Sequence, residues 1–510
     1  MSTTNFVDKT TTILSEWLND VDNRVYAGKL DDGTRGAAID KFLQAGTGAA
    51  ERTVEAKLRE GVSVTDFGAK GDGVTDDTAA IQAALDAVKT AGGGLVYLPP
   101  GTYLHTQIKL RDDVELCGFS RGSTTLKLKA SANANGVIKH ASDTGLNAAL
   151  RHLTIDGNQD NNTSGGGIYW AGSTGNRGPT ITIEDVLVTK CRDDTGGGGG
   201  AAAVHLLGSD WCVLRDVDIF QNDYAQGLGV QCSDSVFDGV YISQNGSLAA
   251  KRGLNIIQAN GNRFIGCYFG GTILEDQVIL QGAQYNHFIG CINDNAWYAG
   301  YRLGDSGGLG SSFNTWTGGQ CTNSSQAANN GDDNFNIAGA AQDNIINGVF
   351  ISNYQANKAR YGVVEGGTAT NNHVVGCTMG TFATGPVLFN TAGTSRITHS
   401  PGYNRSFQSI QGAVLTAANN LVLGTDGRYF QVDGATQINL IDNTAWRGGD
   451  LVTLKFNSAP TVKHNQAASG NNKPILLTGA ADLVASANDT LTLRYDSTDA
   501  AWYEVGRAVI

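Results

Sequence analysis

The sequence predicts an all-β fold: a solenoid of short strands, preceded by a short N-terminal segment and followed by a β-sandwich-like domain. Three observations predict it. One phrase recurs along the middle of the chain, as Asn262-Arg-Phe-Ile-Gly-Cys267, Asn286-His-Phe-Ile-Gly-Cys291 and Asn372-His-Val-Val-Gly-Cys377. Counting looser copies, the phrase ends fall at 153, 186, 217, 240, 267, 291, 319, 349 and 377, so successive copies are 23 to 33 residues apart. That is a solenoid period with loop insertions. The composition agrees: Gly 68 against Pro 7 in 510 residues fits many tight turns and excludes collagen or a Pro-rich linker.

Residues 1–60 hold Thr11-Thr-Ile-Leu-Ser-Glu-Trp-Leu-Asn-Asp-Val-Asp-Asn-Arg-Val-Tyr26, an apolar-periodic helix or turn segment without a core of its own. Residues 61–404 form the solenoid. They open on Val62-Ser-Val-Thr-Asp-Phe-Gly-Ala-Lys-Gly-Asp-Gly-Val-Thr-Asp-Asp-Thr-Ala-Ala-Ile-Gln82 and Gly92-Gly-Gly-Leu-Val-Tyr-Leu-Pro-Pro-Gly-Thr-Tyr103. This reads as a strand, a Gly-rich turn, a helix over about 76–90 and a strand ending at Pro-Pro-Gly. Asp76 or Asp77 supplies the N-cap, and Ile81, Leu85 and Val88 make the buried stripe of a lid. This wording resembles the entry segment of the pectate-lyase-like superfamily, in the branch dominated by bacteriophage tailspikes that depolymerise bacterial surface polysaccharides. The resemblance is strong over about residues 60–130. It implies a right-handed single-stranded parallel β-helix, a homotrimer and a place on the phage tail, synthesised in the host cytoplasm and acting at the bacterial surface.

Each repeat carries a second strand upstream of the Asn, as in Val204-His-Leu-Leu207, Leu228-Gly-Val-Gln231, Val278-Ile-Leu-Gln281 and Tyr361-Gly-Val-Val-Glu365. Alternate residues then face the interior. Nine rungs are visible between about 150 and 390, and residues 95–150 add two or three. Asn222 and Asn245 share an offset and are expected to stack as an amide ladder; Cys267 and Cys291 are expected to stack likewise. Residues 405–510 lose the phrase and alternate in short strands, including Asp489-Thr-Leu-Thr-Leu-Arg-Tyr495 and Ala501-Trp-Tyr-Glu-Val505, which reads as a β-sandwich. This segment is similar to a C-terminal module of phage tail fibres, which implies trimerisation, carbohydrate binding or both. Residues 1–60 resemble the short segments that join spikes to a tail or baseplate protein.

A net charge of −12 and the lack of a basic stripe exclude a nucleic-acid partner. No signal peptide opens the chain and no run of eighteen apolar residues occurs, so neither conventional secretion nor membrane insertion is expected. The eight cysteines lack CxxC spacing and read as core thiols. His152, His205, His287 and His373 are scattered strand-face residues rather than metal ligands, so no metal and no cofactor is expected. Nothing matches a phosphate loop or a nucleophile elbow. Polygalacturonase-type Asn-Thr-Asp, Gly-His-Gly and Arg-Ile-Lys are also absent, which puts plant pectin in doubt.

Neighbouring rungs place side chains about 4.8 Å apart. Carboxylates one rung apart approach a retaining glycosidase's separation, and two rungs apart an inverting one's. The best cluster is Glu275 and Asp276, with Asp294 and Asp305 as second carboxylates, Trp297 and Tyr298 as an aromatic shelf, and Lys251 and Arg252 one rung earlier. Glu275 or Asp276 is the expected general acid. The competing reading makes these surface ion pairs, with Trp297 packed under a loop. A second cluster joins Asp160, Asp193, Asp194 and Asp223 with Tyr169, Trp170 and Tyr224, against a reading of simple turn capping. Asp332-Asp333 reads as a turn. Asp426, Asp433 and Asp442 read as structural. The expected function is endo-glycosidic hydrolysis of a capsule or O-antigen. The alternatives are β-elimination, with Lys251, Arg252 or Tyr298 acting on a uronate, a non-catalytic receptor-binding spike, and a structural shaft.

Overall fold

The computed structural model describes residues 41–141, 147–172, 180–193, 202–223, 226–243, 252–271, 275–389, 395–398, 411–424, 427–444 and 446–509. The segment Thr11–Tyr26 and Asp194, Tyr224, Asn245, Lys251 and Asp426 lie outside these residues. The chain forms a parallel β-helix, in two compact units, residues 1–255 and 256–510.

In the first unit the lid is the helix Thr78–Thr90, which buries Ile81, Ala84, Leu85 and Val88. The caps divide the expected work. Asp76 accepts the Thr78 amide at 3.1 Å, while the buried Asp77 carboxylate holds the Gly-rich turn by accepting the amides of Lys70 at 2.7 Å and Gly71 at 3.0 Å. Beyond the lid the rungs present three parallel sheets. The first stacks Ile108–Leu110, Val137–Lys139, Ile168–Ala171, Ala202–Asp210 and Gln226–Ser233. The other two share the long strands Asn147–Asp156, Thr180–Thr189 and Val213–Phe220, each bent at a left-handed residue: His152 (φ 54°), Asp185 (φ 51°) and Asp216 (φ 52°). Outside the bend the facing side chains alternate in charge: Arg151, Glu184, Arg215 and Asp238 sit in register and pair along the column.

In the second unit the same bend is a glycine, at Gly266, Gly290, Gly318, Gly348 and Gly376, all at φ 57–65°. This is the glycine of the recurring phrase. It splits each long strand into short ones, such as Arg263–Ile265 and Tyr268–Gly270. The phrase's apolar position points inward and stacks: Phe264 on Phe288 at 4.7 Å, and Phe288 on Trp316 at 5.1 Å. Tyr301 on Phe335, at 4.8 Å, makes a second interior column.

In the second unit an amide ladder runs through the first residue of the phrase. Asn262, Asn286, Asn314, Asn344 and Asn372 are all buried, and each Nδ2 donates to the Oδ1 of the next at 2.9–3.0 Å. Each of these Oδ1 atoms also accepts the backbone amide of the preceding ladder residue, at 3.0–3.2 Å. Asn222 accepts the Cys191 amide and donates to the Val188 carbonyl; its expected partner Asn245 lies outside the described residues. The residue before each ladder Asn is left-handed: Gly261, Tyr285, Phe313, Asp343 and Asn371 have φ between 56° and 71°. For a residue with a Cβ this conformation costs roughly 1–2 kcal/mol, least for Asn and Asp.

The cysteines are free, as expected of core thiols, and burial pushes the Cys321 thiol up to about 12. Cys267 and Cys291 lie thiol to thiol within hydrogen-bonding contact. Residues 411–509 form an eight-stranded mixed sheet with its own core, including Phe430, Leu454, Ile475, Leu491 and Trp502. Its first strands, Leu415–Thr416, Tyr429–Asp433 and Leu451–Phe456, still pair in parallel, so rung-like pairing continues past the recurring phrase. The later strands Thr490–Asp496 and Ala501–Ala508 pair antiparallel.

The ladder generates a prediction. Asn314→Ala strands the Asn286 amide groups and its carbonyl partner without replacing them. At about 1–3 kcal/mol per unsatisfied buried group, it should destabilise the protein by about 3 kcal/mol or more. Exposed Asn371→Ala should cost far less. Chemical denaturation of the two variants checks this; equal midpoints would remove the ladder's structural role.

Candidate functional site

The expected cluster lies where the loops lead into the sheet of Val278–Gln281, Tyr301–Ser306, Phe335–Ile337 and Tyr361–Glu365. These strands pair Val278 with Tyr301, Tyr301 with Phe335 and Phe335 with Val363. Counting back three residues on each rung gives one column: Glu275, Tyr298, Asp332 and Arg360. Counting back two gives a second, deeper column: Asp276, Ala299, Asp333 and Tyr361. Backbone hydrogen bonds join the first column in two pairs, from the Tyr298 amide to the Glu275 carbonyl (3.4 Å) and from the Arg360 amide to the Asp332 carbonyl (2.6 Å); between them the Tyr298 carbonyl accepts the Ser325 amide (2.7 Å).

The acids of the deeper column are committed to guanidinium partners. Asp276 is 7% exposed. It accepts Arg302 Nε–H on Oδ2 (2.6 Å) and Arg302 Nη2–H (3.0 Å) and the Ala299 amide (2.9 Å) on Oδ1. Asp333 is fully buried and accepts Arg360 through Nε (3.2 Å) and Nη2 (2.8 Å), with the Tyr361 amide at 3.0 Å. Asp276 is therefore not the general acid the sequence led us to expect, because both oxygens already hold a guanidinium and an amide. Asp276 is ion-paired, but buried and with Arg302, where the competing reading expected a surface pair with Lys251 or Arg252.

Asp332 differs. It is half-buried, it receives a single contact from Arg302 Nη2 at 3.2 Å, and its amide donates to Ser325 Oγ. Burial raises its carboxyl above the ordinary aspartate range; the Arg302 charge opposes this, while the negative charges of Asp276 and Asp333 add to it. A carboxyl held toward its neutral form is suited to donate a proton. Glu275 stands half-buried at the same offset two rungs away. Two rung spacings amount to about 10 Å, near the upper end of the roughly 6.5–9.5 Å of inverting glycosidases. Tyr298, 40% exposed, lies between them, and Tyr354, 68% exposed, stands on a nearby loop.

The other expected carboxylates do not join this column. Asp294 accepts Thr322 Oγ1 (2.9 Å) and Asn323 Nδ2 (2.8 Å), which makes it a turn anchor. Asp305 is exposed and caps the Ala340 amide at 2.9 Å. Trp297 is half-buried and its carbonyl accepts the Ala327 amide, placing it beside the loop 323–331 rather than on an open shelf. Arg252 opens the strand Arg252–Ile257 in the first unit. In the second cluster Asp160 lies in the turn Gln159–Asn161, Asp193 in a two-residue strand against Ser164–Gly165, and Asp223 is buried on the adjacent rung opposite Arg192, with its amide on the Cys191 carbonyl. Trp170 is fully buried in the interior.

One pairing in the first unit escaped sequence reasoning. Tyr169 and His205 are in register, with ring centroids 5.4 Å apart at 73°, and the His205 Nε2 lies 3.1 Å from Gln231 Oε1. The close approach of Gly229, where a Cβ would meet Gln226 and His205 at 3.0–3.1 Å, leaves room for the imidazole. Among the described residues no group of three or more His, Cys, Asp and Glu side chains is placed to hold a metal ion.

Breaking the deeper column should destabilise the second unit. Asp276→Ala leaves Arg302 half-paired and an amide unsatisfied, a loss of about 3 kcal/mol. Adding Arg302→Leu should recover much of it, since a removed pair costs less than a broken one. Melting curves of the single and double variants check this; a double variant worse than the sum would contradict the pairing.

Residues 61–272 match the family model described as rhamnogalacturonase A/epimerase, pectate lyase-like. Mannuronan C5-epimerase AlgE4 of Azotobacter vinelandii is 45% identical over 114 residues, 20% of this chain and 20% of that protein. The solved A-module of AlgE4 superposes with a TM-score of 0.53 at 24% identity, covering 67% of this chain and 94% of the module. The preneck appendage protein of Bacillus phage PZA is 30% identical over 183 residues, 34% of this chain and 20% of that protein. The tailspike protein of E. coli bacteriophage HK620, solved in complex with a pentasaccharide, superposes with a TM-score of 0.54 at 14% identity, covering 93% of this chain and 96% of the other. The chain spans a fifth or less of the length of the curated relatives it matches. It thus has the tailspike-like β-helix fold, and its relatives include a polysaccharide-modifying enzyme and a phage appendage.

Proposed function

We propose that the protein is a phage tailspike that binds a bacterial surface polysaccharide and cleaves it internally by inverting hydrolysis. The observation that carries this reading is the column Glu275–Tyr298–Asp332, two carboxyls two rungs apart with an exposed aromatic between them. Asp332, held toward its protonated form by burial and by the charges of Asp276 and Asp333, donates its proton to the glycosidic oxygen as that bond breaks. Glu275 takes a proton from a water attacking the anomeric carbon on the opposite face. Tyr298 supports the sugar ring between them. Arg302 and Arg360 stay paired with the deeper carboxylates and hold the column in place. The wider assignment includes three copies of the chain, attachment to a tail or baseplate protein through residues 1–60, and a role for residues 405–510 in trimerisation or glycan binding.

A specific observation favours a second reading. The contact of Tyr169 with His205 in the first unit joins a phenol and an imidazole, groups suited to removing the C5 proton of a uronate and protonating the leaving oxygen. β-Elimination from that site leaves a terminal double bond that absorbs in the ultraviolet.

Size-exclusion analysis of purified surface polysaccharides from a panel of strains, with product masses, separates the readings. Hydrolysis adds one water for each bond broken, while elimination gives unsaturated ends and fails in His205→Gln. An intact polymer that co-elutes with the protein would leave only binding. Under hydrolysis, Asp332→Asn lowers kcat by about 10²–10⁴-fold and leaves binding in place.

The raised carboxyl also sets two pH signs. Because Asp332 must be protonated to act, the alkaline limb of the kcat profile lies above the ordinary aspartate range. Because the folded state holds its proton more tightly than the unfolded one, Asp332 contributes stability at acid pH that is lost as pH rises through the folded value. Asp332→Asn should therefore keep or raise the melting temperature at neutral pH. A variant that loses activity and stability together would mark Asp332 as structural.

A further inference from the structure

The turn ridge that follows the sheet strand Val278–Gln281 carries an anomaly that the catalytic reading leaves unused. Its left-handed position, filled by Gly261, Asp343 and Asn371 on other rungs, holds two aromatics on adjacent rungs, Tyr285 at φ 56° and Phe313 at φ 59°. Backbone hydrogen bonds along the ridge fix that conformation: the Tyr285 amide donates to the Ser312 carbonyl at 3.2 Å, and the Phe313 amide to the Gln342 carbonyl at 3.1 Å. The two rings stack with centroids 4.9 Å apart and planes 6° from parallel. Yet Tyr285 is 51% exposed, so the stack lies largely outside the core. Each aromatic carries the cost of a left-handed side chain, whereas the pair shares the gain of a single stack. Stability alone would place glycine or aspartate here, as on the neighbouring rungs at Gly261 and Asp343. Strain of this kind at an exposed position points to a ligand.

We propose that Tyr285 and Phe313 form a glycan platform, on which a pyranose ring stacks against the outer face of Tyr285 as the third member of the column. On the preceding rung the equivalent residue is Gly261, which brings no side chain against that face. Ring and sugar are of similar size, and the rung spacing of about 4.8 Å matches the thickness of a stacked ring. The apolar C–H face of a pyranose meets the electron-rich face of the phenol, while its hydroxyls need amide partners at the rim. Asn260, exposed, and Gln284, half-buried, stand on adjacent rungs beside the platform, linked by the Gln284 amide donating to Asn260 Oδ1 at 2.9 Å. The platform is separated from Asp276 by the whole strand Val278–Gln281, so it binds a sugar unit away from the bond being cut. This inference rests on the reading of the protein as a polysaccharide binder and adds a second, non-catalytic contact to it.

The test uses the full chain and the double variant Tyr285→Gly/Phe313→Gly, with Tyr285→Phe as the conservative control. Electrophoresis through native gels cast with polymannuronate, or with purified O-polysaccharides and capsules from the strain panel, reads retardation. Melting temperature and size-exclusion mass are recorded alongside. The platform predicts that the double variant melts at the same or a higher temperature, remains in the same oligomeric state, and loses at least tenfold in affinity for the polymer that retards the wild type. Tyr285→Phe should retain most of the retardation. Equal retardation of wild type and double variant would overturn the platform while leaving the polysaccharide reading intact. No retardation of the wild type by any polymer would sink both. A lower melting temperature with unchanged affinity would assign the rings to folding, and a changed mass would assign them to contact with a second copy; either result overturns the proposal.

Discussion

Each rung of the second unit must arrive at the place left by the one before, and the buried asparagine column enforces this. Asn262, Asn286, Asn314 and Asn344 each join a side chain and a backbone amide on one rung to a single oxygen on the next. A one-residue slip would break the ladder and turn every inward side chain outward, so register is fixed more firmly than three-residue strands could fix it alone. The ladder ends on Glu365, whose buried Oε1 accepts Asn372 Nδ2 at 2.7 Å and the Ser395 hydroxyl. A carboxylate suits this position because the last amide must donate, and a carboxylate only accepts.

With register fixed, an offset along the sequence becomes a distance in space. Two columns, one residue apart, then have different tasks. The deeper one pairs Asp276 with Arg302 and Asp333 with Arg360, so each buried charge is met by a bidentate guanidinium. The outer one holds Glu275, Tyr298, Asp332 and Arg360, two carboxyls, a phenol and a guanidinium on successive rungs. The negative charge of the deeper column is felt by its neighbour, and it adds to burial in holding the Asp332 carboxyl toward its neutral form. The ion pairs of the deeper column thus bear on the protonation of a carboxyl in the outer one.

Much of this architecture could be read from the chain. The glycine of the recurring phrase became the left-handed bend, its aromatic position the interior stack, and the apolar stripe of the lid helix its buried face. The site was legible only in part. Tyr298 does occupy the place of Glu275 one rung on, as the offsets required. Asp332 reads as a turn in the sequence because it lies in the Asn/Gly-rich stretch Asn329-Asn-Gly-Asp-Asp-Asn334. Arg302, the partner that disqualifies Asp276, sits inside the next rung's strand, where only the register reveals it. The pairing of Tyr169 with His205 likewise depends on two strands that are 36 residues apart in the sequence being adjacent in space.

The separation of register from surface explains how such a scaffold can carry a site at all. In the second unit the residue before each ladder asparagine is left-handed whatever its side chain, because backbone hydrogen bonds and the ladder set its conformation. Glycine, tyrosine, phenylalanine, aspartate and asparagine all occupy that position on successive rungs. The interior column has no such freedom, since a change there removes a stacked ring or a ladder bond. Side chains on the ridge can therefore be exchanged at a cost confined to their own backbone strain and local contacts. A chain under selection to recognise a variable bacterial glycan would vary at the ridge and at the column before each sheet strand, and hold the asparagines and interior rings constant. The exposed Tyr285–Phe313 pair and the outer column of Glu275, Tyr298 and Asp332 both lie in that variable layer. Recognition can then be rebuilt one rung at a time without renewing the fold.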